Sequence, residues 1–216
     1  MSTGYELVYF SVHGRAEPIR LLFALAGQPF VNRTVTRDEW MKQKPQMPLG
    51  QVPVLIERDE RGERVIPQSM AIFRHLARRF GLYGSTDDER LSVDVALESA
   101  VDAGAGVGPL IFGPGRGDAA AFAKHFAEVW PTHARRLDTL LAGNQAASGF
   151  FVGAGVSCAD VAVFQVLHAH LALSPAALDG IGALRAFYDR MAALPQWQPY
   201  LVARGPHEGA GARPAG

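Results

Sequence analysis

Tyr9 lies near the end of the β-prone run YELVYF at 5–10, which is followed by SVHGRAEPIR, a short polar loop in which Gly14 leads Arg15 into the start of a helix. A phenol and a guanidinium brought near one point are two donors for a developing anion, a recognised way to stabilise one during a reaction. On its own, a tyrosine at a strand end is usually a packing residue. The assignment therefore depends on what else converges there.

Three further pairs fit anion recognition. Gln68 and Ser69 stand at the start of the third helix, where a serine can cap and the exposed N–H groups at the positive end can receive a carboxylate. Trp40 and Lys44 are four apart, so helical residues 38–44 would direct an indole N–H and an ammonium from one face. Alone, most such pairs on a polar helix are only a solvated rim. Val52 and Pro53 follow the turn-like PLGQ. Local sequence favours an ordinary trans bond, because only about 5–6% of X–Pro bonds in folded proteins are cis.

Other polar residues carry structure rather than chemistry. Ser157 and Asp160 have the S-x-x-D spacing of a capping box, with Val156 and Val161 placed as its hydrophobic staple. Cys158, the single cysteine, excludes an intrachain disulfide, a cysteine metal cage and a C-x-x-C redox cycle. It sits at a helix start, where the dipole could depress its pKa, but burial is the simpler reading. The seven histidines form no H-x-x-x-H or H-E-x-x-H set, and His168 and His170 point to different helix faces, so no metal site is expected.

The elements that must position these residues fall into two groups. Strands are expected at 5–10, 30–35, 52–57 and 63–66, with helices at 16–26, 38–44 and 69–80, giving βαβαββα. Beyond GLYGST at 81–86 only helices follow, at 87–103, 118–142, 158–170 and 183–193. The end of the first of these should be irregular, because Gly104, Gly106, Gly108 and Pro109 come in succession. The expected organisation is a mixed α/β domain over 1–82, an all-helical domain over 83–203 and a flexible tail over 204–216.

Composition narrows the partners. With 216 residues and 48% hydrophobic content the chain can bury a sizeable core, and 21 basic against 21 acidic residues leave no footprint for nucleic acid or an anionic membrane. MSTGYELVYF lacks the basic and apolar segments of a secretory signal, and no stretch reads as ~20 consecutive apolar residues. A cytoplasmic protein with a small or neutral ligand is the expectation.

From Tyr5 to about Leu201 the chain resembles the cytosolic glutathione transferases, closest to the sigma, pi and alpha tyrosine-type classes. The resemblance rests on VYFSVHGRAEPIRLLFA at 8–24, GQVPVL at 50–55, QSMAIFRHLARRFGLYG at 68–84 and FFVGAGVSCADVAVFQVL at 150–167, in the family's order and spacing. It implies a thioredoxin-like domain followed by a helical bundle, with glutathione as co-substrate and a homodimeric assembly. Tyr9 matches the tyrosine that donates to the glutathione sulfur, and Arg15 the arginine that supports the thiolate. The resemblance implies a cis Val52–Pro53 bond, with the Val52 backbone pairing with the cysteinyl part. Gln68 and Ser69 match the γ-glutamyl carboxylate site, while Trp40 and Lys44, with Gln51 alongside, match the glycyl carboxylate site. Asp102 matches an acid that reaches the γ-glutamyl amine across a dimer interface, with Glu98 one turn earlier as the alternative.

Departures concern the second substrate. His13 replaces an arginine common before the glycine, on the expected rim of the electrophile site, and the glycine-rich run at 104–108 lies where that substrate usually packs. Phe10, Val12, Leu110 and Phe112 are the candidate walls of an apolar pocket. The implied activity is conjugation of small, mostly apolar electrophiles in detoxification. The alternatives are a glutathione-dependent isomerase or peroxidase, or a glutathione-binding protein with little turnover.

Overall fold

The computed structural model describes residues 4–214. The chain forms two compact units that divide after Phe80. In the first, the elements are β1 (Gly4–Tyr9), α1 (Glu17–Leu25), β2 (Val31–Thr34), α2 (Arg37–Gln43), β3 (Val54–Asp59), β4 (Gly62–Pro67) and α3 (Ser69–Arg79). The sheet order is β2-β1-β3-β4, with β1 parallel to β2 and the other neighbours antiparallel. This is the thioredoxin-like arrangement.

β1 is central, so both of its faces are covered. Val8 joins Val35, Val54 and Ile56 in one cluster, against which Trp40, Met47 and Val52 pack. Tyr5 meets the rings of Phe23 and Phe80, which come from α1 and the end of α3. α1 has Glu17 in its first turn and Pro18 beside it, both suited to a helix N-terminus, and its apolar stripe Ile19, Leu22 and Phe23 is buried. β3 and β4 run further into the hairpin than their apolar residues suggest. The Asp59 carboxylate accepts the Arg61 N–H at 2.9 Å, which tightens the turn. One carboxylate, Glu57, is buried in β3. Burial alone would raise its pKa, but hydrogen bonds from Arg64 and His75 hold it below the ordinary range.

The second unit contains α4 (Asp87–Gly104), α5 (Val107–Phe112), α6 (Ala119–Lys124), α7 (Trp130–Ala142), α8 (Cys158–Leu173), α9 (Gly182–Ala192) and α10 (Gln198–Arg204). α8 is its core helix, apolar on nearly all sides and buried from Cys158 through Gln165. The Ser157–Asp160 capping box is present: the N–H and the hydroxyl of Ser157 both donate to Asp160 Oδ2 at 2.8 Å. Asp160 Oδ1 also accepts the Phe151 N–H at 2.7 Å, so one side chain starts the helix and ties down the loop before it. Burial outweighs these donors and pushes the Asp160 pKa up to about 6.

Several features differ from the sequence expectations. The helix expected over 118–142 is interrupted by a π turn at His125–Val129. α5, α10 and a 3₁₀ turn at Glu208–Ala212 had no counterpart in the sequence reading. Within the stretch expected as a flexible tail, Gly209 and Ala212 are buried, and residues 215–216 lie outside the described residues. Arg116 reaches the Gly211 carbonyl at 3.0 Å and Arg213 the Ala172 carbonyl at 2.8 Å, so backbone acceptors replace the missing apolar side chains. The run Asp87–Phe112 is long and apolar enough to cross a membrane by length and composition, contrary to expectation. In the fold it breaks between α4 and α5 and buries Val93, Ala96, Leu97 and Ala100.

The break is shaped by a contact. His125 packs so closely on Gly106 that a Cβ there would lie 2.7 Å from the imidazole Cε1. His125 Nε2 meets His170 Nε2 at 3.2 Å, while His170 Nδ1 lies 2.8 Å from the Val166 carbonyl and its ring stacks on Trp130 at 3.7 Å. That carbonyl fixes the proton on His170 Nδ1, so His125 donates from Nε2. Burial pushes the His170 pKa down to about 3 and lowers that of His125.

Candidate functional site

One end of the sheet gathers most of the candidates. Val8 pairs with Val54, Tyr9 with Thr34, and Val54 with Pro67. The carboxyl end of β1, the residues leading into β3 and the junction from β4 to α3 therefore share an edge. They bring Tyr9, Val52–Pro53 and Gln68–Ser69 to it.

Unusual backbone is concentrated around this edge. The Val52–Pro53 bond is cis, against the local expectation and in agreement with the resemblance. Leu49 and Gln68 are non-glycine residues at φ 59° and 72°, a conformation that costs free energy and collects at functional sites. Gln68 is the residue that caps α3, and its side chain makes no capping hydrogen bond. Ser69 is the first helical residue rather than the cap, a correction that follows from this turn at Gln68. The first N–H groups of α3 are left without a capping side chain, as a carboxylate-binding helix start requires.

Tyr9 is held by the loop after it. Its hydroxyl accepts the backbone N–H of Arg15 at 3.3 Å, which leaves the phenolic hydrogen free to donate elsewhere. Gly14 makes this possible. It has φ 44°, and a Cβ at that position would lie 2.7 Å from the Tyr9 oxygen. The Arg15 side chain is exposed on the same turn, whereas His13 is buried and so forms no open rim.

α2 begins with its own capping box, Thr36 and Glu39, and ends at Gln43. Trp40 lies on its inner side, edge-on to Phe10 at 6.3 Å. Lys44 falls one turn later, in a 3₁₀ turn rather than in α2, and is exposed. Gln51 is exposed, Val52 half-buried and Pro53 buried. Phe10 is half-buried, packed against the rings of Trp40 and Tyr9, and Val12 is half-buried in the loop.

The other candidates belong to the helical unit. Asp102 and Glu98 are exposed one turn apart on α4. Phe112 is exposed at the end of α5, but Leu110 is 4% exposed in a cluster with Phe122, Leu173 and Ala212. Leu110 is core, so its expected role as a pocket wall is corrected.

Comparison with known proteins shows the family. Residues 5–78 match the glutathione S-transferase N-terminal domain, and residues 106–204 match the glutathione S-transferase C-terminal domain. The chain belongs to the glutathione S-transferase family. It is 38% identical over 199 residues to a glutathione S-transferase P of Caenorhabditis elegans, covering 92% of each chain. It is 31% identical over 200 residues to the Bos taurus glutathione S-transferase P, covering 92% of this chain and 91% of that one. Among solved structures it is similar to the Fasciola hepatica sigma class transferase, with TM-score 0.87, 28% identity and coverage of 95% and 99%. It is also similar to the Onchocerca volvulus pi-class transferase, with TM-score 0.84, 30% identity and coverage of 99% and 98%. The protein is thus a transferase that uses glutathione as co-substrate for conjugation.

In this transferase two buried charges beside the Tyr9 loop have no counterpart among the sequence expectations. Arg20 interrupts the apolar stripe of α1 and is 1% exposed, and Glu17 beside it is 2% exposed. The available signal was a charge inside the run PIRLLFAL, on the face the helix must bury.

Proposed function

We propose that this is a tyrosine-type transferase in which Tyr9 holds the glutathione sulfur as a thiolate for attack on a small apolar electrophile. The observation that carries the proposal is the Tyr9 hydroxyl, engaged as an acceptor by the Arg15 N–H with its own proton left to donate. A free thiol of pKa ~8.5 is only a few per cent ionised at neutral pH, and each unit of depression requires about 1.4 kcal/mol of preferential anion stabilisation. A charge-assisted hydrogen bond from Tyr9, together with the positive Arg15 side chain, supplies stabilisation of that order. The thiol proton leaves to solvent, the sulfur lone pair forms the new bond to the electrophilic atom, and the displaced electrons leave with the departing group or stay on the acceptor.

The remaining roles follow the same logic. The uncapped start of α3, with Gln68 and Ser69, receives the γ-glutamyl carboxylate. The Val52 backbone pairs with the cysteinyl unit, and Trp40, Lys44 and Gln51 meet the glycyl carboxylate. Asp102 of a second copy faces the γ-glutamyl amine in a cytosolic homodimer, with Glu98 as the alternative acid. Phe10 and Val12 offer apolar surface for the electrophile.

Replacing Tyr9 with phenylalanine tests the reading. The pKa of bound glutathione, followed by ultraviolet thiolate absorbance, rises, and the conjugation rate falls at least about tenfold. An unchanged rate refutes the role of Tyr9. Light scattering reports the dimer. A panel of electrophiles, hydroperoxides and isomerisable substrates reports the pocket's preference.

A further inference from the structure

We infer that Arg20 is a positioning residue for thiolate formation: it holds the loop that sets Tyr9 against the Arg15 N–H. The inference rests on the role proposed for Tyr9. The Arg20 guanidinium is buried and extends in several directions. Nη1 donates to the carbonyls of Val12 at 2.9 Å and His13 at 3.4 Å, and to Glu17 Oε2 at 3.0 Å. Nη2 donates to the Phe10 carbonyl at 3.3 Å, and Nε to Asn32 Oδ1 on β2 at 3.1 Å. Its carbon also lies 5.9 Å from the centroid of the Tyr9 ring. One side chain therefore grips the segment from Phe10 to His13 at three carbonyls and anchors it to α1 and β2.

These acceptors belong to the stretch that needs holding. Residues 10–13 leave β1 without sheet pairing, and the turn that follows must place Gly14 so near the Tyr9 oxygen that no side chain fits. A shift of a few tenths of an ångström in this loop would change the Arg15 N–H contact, already 3.3 Å long. A hydrogen bond at that length is sensitive to small displacements. Glu17 balances the buried charge, at 2% exposure for both side chains, so the pair is kept dry and oriented. Arginine suits this task because its planar fork presents five donors in fixed directions. Lysine would offer a compact charge with fewer donors on a flexible stem.

The test is Arg20→Lys in the full-length protein, alone and combined with Tyr9→Phe. Arg20→Lys should raise the pKa of bound glutathione by about one pH unit and lower kcat about tenfold, with KM for glutathione changed less than about threefold. In the Tyr9→Phe background the same substitution should shift the thiol pKa no further, because the two residues act through one hydrogen bond. Loss of thermal stability with an unchanged thiol pKa overturns the inference, as does full additivity of the two substitutions. If Tyr9→Phe alone leaves the thiol pKa and rate unaltered, the Tyr9 reading has failed instead. Should Arg20→Lys give no folded protein, Asn32→Ala removes one acceptor from the exposed edge strand β2. A raised thiol pKa with a kcat loss of about twofold or more then supports the inference, and an unchanged thiol pKa overturns it.

Discussion

Arg20 in the thioredoxin-like unit directs its donors at the carbonyls of a loop that carries Tyr9, whereas Asp160 in the helical unit directs its acceptors at the start of the core helix. Both side chains are buried and both satisfy backbone groups that would otherwise be unpaired. The difference lies in what is held. Around Arg20 the held segment leads to Gly14 and the Tyr9 hydroxyl, the group proposed to hold the thiolate. Around Asp160 it leads into sixteen residues of regular helix that carry no candidate chemistry. On the roles proposed for Tyr9 and Arg20, buried polar groups of similar cost serve site geometry in one unit and folding in the other.

The sharpest way to break this contrast is Asp160→Ala. It strands the Phe151 N–H and both Ser157 donors inside the core, with an expected loss of about 3 kcal/mol or more. Chemical denaturation should show a much lower midpoint, while the protein that remains folded keeps its KM for glutathione. A stability change below about 1 kcal/mol would mean that the loop before α8 finds other partners.

Gly106→Ala is the next largest. The added methyl meets the His125 ring at a distance real Cβ atoms do not show, and overpacking of this kind costs about 1–3 kcal/mol. The readout is again stability rather than thiol chemistry. If His125 turns aside freely and the melting temperature holds, the His125–His170 contact is not structural. Gly14→Ala should behave in the opposite way. Its methyl meets the Tyr9 oxygen, so conjugation falls about tenfold while stability falls only by the ~1–2 kcal/mol of a left-handed non-glycine residue. Equal catalytic loss from Gly106→Ala would dissolve the distinction between the units.

These residues also mark the limit of what the sequence discloses. The Ser157–Asp160 box, the β-prone runs and the start of α1 depend on neighbours within a few positions, and all were legible. Tyr9 and Arg15 were legible as a pair because one short loop joins them. Arg20 was not, since its acceptors include Asn32, twelve residues away on another strand. Serine's preference for a helix cap points to Ser69. The positive φ of Gln68 that moves it into the helix is imposed by the junction with β4. Likewise α5 and the burial of Gly209 and Ala212 depend on contacts such as Arg116 with Gly211, ninety-five residues apart. Local patterning carries no record of those.

The smallest expected effect separates the units by acid. His170 has an ordinary pKa of 6.5 when unfolded and about 3 when folded, so the unfolded chain takes up a proton that the native helix refuses. Its contribution to stability is intact above pH 6.5 and is lost as pH falls from there, by up to about 1.4 kcal/mol per pH unit, with His125 acting in the same direction. Asp160 opposes them. Its folded pKa of about 6 against 3.8 unfolded means the native state binds the extra proton, so its contribution grows as pH falls between those values. Over this range the losses at His170 and the gain at Asp160 nearly offset, and His125, whose pKa is also lowered by burial, tips the balance, so α8 should weaken between pH 6 and pH 5. In the thioredoxin-like unit Glu6 and Glu57 have folded pKa values below 4.5, so what they contribute is present above pH 4.5 and lost only below it. Hydrogen-exchange protection, corrected for intrinsic rates, should fall in α8 at pH 5 while β1 and β3 keep theirs, and His125→Phe with His170→Phe should abolish the fall. If both units lose protection together, their buried groups answer to one cooperative unfolding and not to two separate designs.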